Sequence, residues 1–180
     1  MKFVVDTCSL ISLVRYYLPF DNDRLLYDYV KNKVDSGELL ILDKVVEECK
    51  YSAKGIVLDT LKYIEAKASC ISTESLYPTK GLYNLLENNF INKVQREKIS
   101  DPEFEIMKND FLNSGDGKMI MYFMNNRQGN VVIVTEESES PNDNKTFKKL
   151  PSICKIIDCE VINLPSWIQR CNGIDIKYIN

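Results

Sequence analysis

Two short apolar runs limit what this chain can become. Val131-Val132-Ile133-Val134 is interrupted by no polar residue, and Phe3-Val4-Val5 follows Lys2 in the same manner. A half-buried strand alternates apolar and polar side chains, whereas an unbroken β-branched run of this length needs cover on both faces. Each run stops at polar groups, the first at Asp6 and the second at Thr135-Glu136-Glu137. Helical spacings fill most of the chain between them. Strands that alternate with helices imply a parallel sheet with helices on both faces. The expected fold is therefore α/β, a three-layer α/β/α sandwich around a central, mainly parallel sheet of about four or five strands.

The remaining elements follow from spacing and from chain breakers. A helix capped by Thr7 or Ser9 is expected through about Tyr17, before Pro19 and Asp21-Asn22-Asp23 break the chain. Leu25, Leu26, Tyr29, Val30 and Val34 recur at helical spacing, and Gly37 ends that helix. Leu39–Leu42 reads as a second strand, and Asp43 as the cap of a helix over Lys44–Ser52. Residues 56 to 68 look helical, with a further strand over Ala68–Ser72. Leu82, Leu85, Leu86, Phe90 and Val94 share one helical face, and Asp101-Pro102 opens another helix. Ser114-Gly115-Asp116 breaks it ahead of a helix over Lys118–Asn126. A loop over Ser138–Asn144, a helix over Leu150–Ile157, a strand over Glu160–Ile162 and a helix over Leu164–Arg170 complete the chain. At 180 residues it suits one domain spanning 1–180, with a helical insertion at about 56–112.

Composition narrows the chemistry. The chain contains no histidine, which removes the usual Ser-His-Asp and Cys-His nucleophile systems and every His-based zinc or iron site. Its six cysteines form no CxxC pair and several lie in apolar runs, so they read as reduced core thiols. Carboxylates, hydroxyls, lysines and thiols remain. The apolar start ends at Asp6, too soon for a signal peptide, and no stretch approaches the roughly 20 apolar residues of a membrane span. A cytoplasmic location with no membrane partner is expected. The net charge is −3, mildly unfavourable for a nucleic-acid binder. That argument loses force if Asp6, Glu48, Asp116, Glu136 and Glu137 sit under metal.

Ligands of open α/β sheets bind beyond the carboxyl ends of the strands. If both apolar runs are central and parallel, Asp6 and Glu136 or Glu137 converge there. Glu48 lies on the helix after the second strand, beside Glu47, and Asp116 opens a helix after Gly115. For each the bland alternative is a solvated face or a helix cap. Carboxylates brought together raise one another's pKa unless a cation offsets the repulsion, and hard oxygen ligands favour magnesium or manganese. One or two such ions can orient water and hold the oxygens of a phosphodiester. Thr7, Ser9 and Thr135 are placed to position ligands or water.

These motifs, in this order, resemble those of the PIN-domain nucleases. Val4-Val5-Asp6-Thr-Cys-Ser9 is similar to the family's opening strand, metal-binding Asp and hydroxyl residue. Val45-Val46-Glu47-Glu48-Cys49 resembles the helix that carries the second acid, Gly115-Asp116-Gly117-Lys118 the third acidic motif, and Val131–Glu137 the strand-Thr-x-Asp motif. Glu137 takes the Asp position, with Glu136 as the alternative ligand. Lys149-Leu150-Pro151 and Glu160-Val161-Ile162 look like a bacterial PIN-like subgroup. The resemblance spans nearly the whole chain. It implies a magnesium- or manganese-dependent endoribonuclease with Asp6, Glu48, Asp116 and Glu137 as catalytic acids. It also implies a toxin held by an antitoxin protein, and a homodimer. Arg15, Lys50, Lys118 and Lys149, and beside them Tyr16, Tyr17, Lys54 and Lys148, are candidate RNA contacts.

Two alternatives stand beside it. A haloacid-dehalogenase-type phosphatase also begins with Asp at a strand end, but the acid it needs two positions later is Cys8 here. A catalytically inactive PIN-like scaffold would lack some of the acids. A Rossmann nucleotide binder is excluded, because the first glycine is Gly37.

Overall fold

A computed structural model describes residues 1–139, 144–171, 173 and 174. Its centre is a four-stranded, all-parallel sheet formed by β1 (Lys2–Val5), β2 (Leu39–Leu40), β3 (Val131–Val134) and β4 (Val161–Ile162), in the order β2-β1-β3-β4. The two apolar runs are its central strands. They pair over their whole length, from Lys2 opposite Val131 to Val5 opposite Val134. Every residue of β3 is buried, as is all of β1 except Lys2. Helices cover both faces and complete the α/β/α sandwich.

The chain leaves β1 for one edge of the sheet and returns through β3 to the other edge. The crevice between the carboxyl ends of β1 and β3 is therefore the point where strand order reverses, the usual position of ligands in such sheets. Four helices surround this crevice: α1 (Thr7–Ser12), α3 (Asp43–Tyr51), α8 (Gly115–Asn125) and α9 (Leu150–Ile156). Farther from it lie α2 (Leu25–Asp35), α4 (Ile56–Thr60), α5 (Lys80–Asn88), α6 (Lys93–Arg96), α7 (Asp101–Asn113) and α10 (Leu164–Arg170).

Several expected elements differ. The first helix is capped by Asp6, not by Thr7 or Ser9, and continues from Leu13 to Tyr17 as a π-turn. The second strand stops at Leu40, and the strand expected at 68–72 shrinks to one parallel bridge between Leu42 and Ile71. Asp43 holds this segment in place: its carboxylate does not cap α3 but accepts the Thr73 backbone N–H at 2.9 Å and the Thr73 hydroxyl, two residues past the bridge. The helix expected at 56–68 breaks at Leu61 into short 3-10 turns. Phe90 is buried beyond the end of α5, while Val94 lies on the separate α6 and is exposed. The expected 138–144 loop lies partly outside the described residues. Among the described residues, no helix is long and apolar enough to cross a membrane.

Candidate active site

Asp6 is almost wholly buried at the end of β1. One carboxylate oxygen accepts the backbone N–H of Ser9 at 2.7 Å, which caps α1. The other accepts the Thr135 hydroxyl from the end of β3 and the Cys8 thiol at 2.8 Å. Asp6 thereby ties the two central strand ends together across the crevice. Ser9 has no part in the pocket; its hydroxyl donates to the carbonyl of Val134 at 3.3 Å.

Glu48 projects from α3 and joins two further elements. It accepts the Thr7 hydroxyl at 2.7 Å and, with its other oxygen, the backbone N–H of Gly115 at 2.7 Å. A Cβ at position 115 would lie 2.7 Å from that carboxylate, so only glycine admits this approach. A Cβ at Gly117 would lie 2.0 Å from the carbonyl of Phe111, so this glycine lets α8 start tight against the end of α7. The Ser114 hydroxyl caps α8, which leaves the Asp116 side chain out of the capping role.

Asp6, Glu48, Asp116 and Glu137 line one pocket of ≈ 270 Å³ together with Thr7 and Cys8. Burial pushes the Asp116 carboxyl up to about 7, and the negative charges of Glu137, Asp6 and Glu48 add to the shift; Lys145 opposes it. The Cys8 thiol is raised to about 12, chiefly by burial and then by Asp6. It is a neutral donor there, not a nucleophile.

The two neighbouring glutamates separate. Glu137 faces the pocket and accepts the backbone N–H of Leu150 at 3.2 Å, at the start of α9. Glu136 turns the other way and accepts the N–H of Leu164 at 2.7 Å, at the start of α10. Glu136, the alternative ligand expected from the sequence, does not line this pocket: adjacent residues leaving a strand point in opposite directions, and its carboxylate is held by a helix end.

Residues 3–173 match the family described as Domain of unknown function (DUF4411). The chain belongs to the DUF4411 family. No curated protein and no solved structure matches it.

Among the residues expected to contact RNA in this DUF4411 chain, Lys118 is misplaced by the sequence reading. It is buried, and its amine donates to the carbonyl of Leu76 at 3.2 Å. Arg15, Tyr16, Lys50 and Lys54 are exposed, while Tyr17, Lys148 and Lys149 are half-buried. Cys8, expected only as a reduced core thiol and as the position where the phosphatase motif lacks its second acid, lines the pocket. Its place at the start of α1, two residues after Asp6, was the available signal.

The donor set of the DUF4411 pocket is made of hard oxygens, and its charge suits a divalent cation. Among the described residues, no hydrogen bond holds the charge of Asp116; its shift comes from burial and neighbouring charges. Asp6 and Glu48, in contrast, are engaged on both oxygens. Among the described residues, no three Asp, Glu or Cys side chains stand as ready-made ligands of one ion. The residues fit a cation in chemistry and charge, and Asp116 with Glu137 is the pair with least hydrogen bonding to give up.

Proposed function

We propose that this DUF4411 chain is a PIN-like, magnesium- or manganese-dependent endoribonuclease of the cytoplasm. One observation carries the reading: four carboxylates from four separate places in the chain line a single pocket at the point where strand order reverses. Acids gathered around a buried carboxyl raised to about 7 are costly without a counter-charge. The ordered motifs that resemble PIN-domain nucleases support the same reading. Asp116 and Glu137, with Asp6, would hold the ion, and Glu48 would hold the start of α8 in place. A divalent cation bound there supplies a Lewis acid for a phosphodiester and lowers the pKa of a water. Thr135 and Cys8 orient Asp6, and Thr7 orients Glu48.

A toxin role, with an antitoxin partner or a second copy of the chain at the surface, belongs to the same proposal and rests on the motif resemblance alone. Purified protein should cleave RNA with manganese, and Asp116→Asn and Asp6→Asn should abolish cleavage while far-ultraviolet circular dichroism is retained. Undiminished activity in either variant, or in excess EDTA, would sink the proposal. Turnover of a small phosphate monoester without RNA cleavage would point to the phosphatase alternative.

A further inference from the structure

Beyond Glu137 the chemistry of the surface reverses. The carboxylate of Glu137 meets the N–H of Leu150, and Lys149 comes directly before it. A groove of ≈ 620 Å³ opens there, lined by Lys93, Lys148, Lys149 and Lys155, with Glu139 as the one acid among the described residues. Glu139 offsets only part of this charge through a 3.7 Å contact with Lys155. In a chain of net charge −3, four lysines against one glutamate in a single groove is a local inversion of sign.

The groove is built by tertiary contacts rather than by one flexible segment. Its first wall comes from the helical insertion. Asn92 donates to the carbonyl of Thr146 at 2.8 Å, Lys148 to the carbonyl of Phe90 at 2.8 Å, and Ile91 pairs with Phe147 in an antiparallel bridge. The Lys148 amine also donates to the carbonyl of Asn89 at 2.6 Å, which fixes that side chain across the seam. The second wall is the outer face of α9. Lys149, the N-cap of α9, and Lys155 in its last turn are six positions apart, a rise of about 9 Å along the helix.

The geometry points to a function for the helical insertion: with α9 it forms a track for the phosphate backbone of a single-stranded RNA whose cleaved phosphate lies over the acidic pocket. This rests on the nuclease reading for the identity of the substrate. The groove presents lysine charges and, from Asn88, Asn89 and Ser152, neutral polar groups, a lining suited to backbone rather than base sequence. It lacks the large aromatic anchors that dominate protein–protein contacts.

The test is fluorescence anisotropy with a 5′-labelled, 12-nucleotide single-stranded RNA and the full-length protein in EDTA. Lys93→Ala/Lys155→Ala should weaken binding about tenfold near 0.1 M salt and reduce the salt slope by about 1.4, two lost contacts at about 0.7 each. Both side chains are exposed, and thermal melting should confirm that the variant folds; the single variant Lys155→Gln, with about half the slope change, covers a double variant that does not. Lys62→Ala/Lys67→Ala removes the same charge elsewhere and should change binding less than about twofold. Equal binding by the groove variant, an equal loss in the control variant, absence of RNA binding by wild type, or competition by polyglutamate as strong as by RNA would each overturn the track. Groove-dependent binding without manganese-dependent cleavage would sink the nuclease reading alone.

Discussion

At the scale of single residues, Asp116 is the most sensitive reporter of the pocket. Its carboxyl is raised from an ordinary 3.8 to about 7. A group raised in the folded state stabilises the fold below its unfolded pKa, and that contribution is lost as pH rises through about 7. Without metal, Asp116→Asn should therefore melt close to wild type near pH 4 and higher than wild type at pH 8. With the pocket mouth open to solvent, screening leaves about 1–2 kcal/mol, or roughly 3–6 °C in Tm. Manganese should raise the Tm of wild type at pH 8 and leave that of Asp116→Asn nearly unchanged. Differential scanning fluorimetry across pH with and without manganese measures both. Glu136 and Glu137 provide a second residue-scale contrast. Glu136→Gln should cost about 1 kcal/mol in denaturant melts through the weakened α10 end, with RNA cleavage unaltered. Glu137→Gln should lower cleavage at least tenfold with a smaller change in stability.

At the scale of elements, the two glycines around Asp116 do different work. Gly117→Ala would drive a Cβ into the Phe111 backbone, so the start of α8 must shift; a loss above about 3 kcal/mol is expected in urea melts. Gly115→Ala meets only the end of the Glu48 side chain. It should keep the fold, displace that carboxylate and lower cleavage. A different strain lies after α3, where Ala53, Lys54 and Gly55 all adopt left-handed backbone angles. A left-handed non-glycine residue costs about 1–2 kcal/mol, so Ala53→Gly should stabilise the chain by about 0.5–1 kcal/mol once its greater unfolded-state entropy is subtracted. The central strands, α9 and α10 were legible in the sequence because their pattern is local: β-branched runs ending in acids, and Pro in the first turn. Asp43 was misread as a cap because its true partner, Thr73, lies 30 residues away. Lys118 was misread as a surface cation because its partner, Leu76, lies 42 residues away. No local spacing carries either contact.

At the scale of the whole molecule, sheet order converts four distant carboxylates into one site. Asp6 and Glu137 follow the two central strands, so their meeting follows from parallel pairing, which the apolar runs already imply. The arrival of Glu48 and Asp116 depends on how α3 and α8 pack, which the order of motifs suggested and composition could not. The helical region 56–112 gave no functional signal in sequence, since its Lys93 joins Lys148, Lys149 and Lys155 in a groove only when Ile91 pairs with Phe147. Reversing that charge with Lys93→Glu/Lys155→Glu should slow cleavage of long RNA more than that of a dinucleotide phosphodiester. A kcat/KM comparison of the two substrates measures this, and equal slowing would count against a track outside the pocket. The double engagement of Glu48, on Thr7 and on Gly115, has a consequence for genetics. In a screen for inactive alleles, changes at Glu48 should be temperature-sensitive, since they unlace α1, α3 and α8 from one another. Changes at Asp116 should be inactive at every temperature in a chain that accumulates normally.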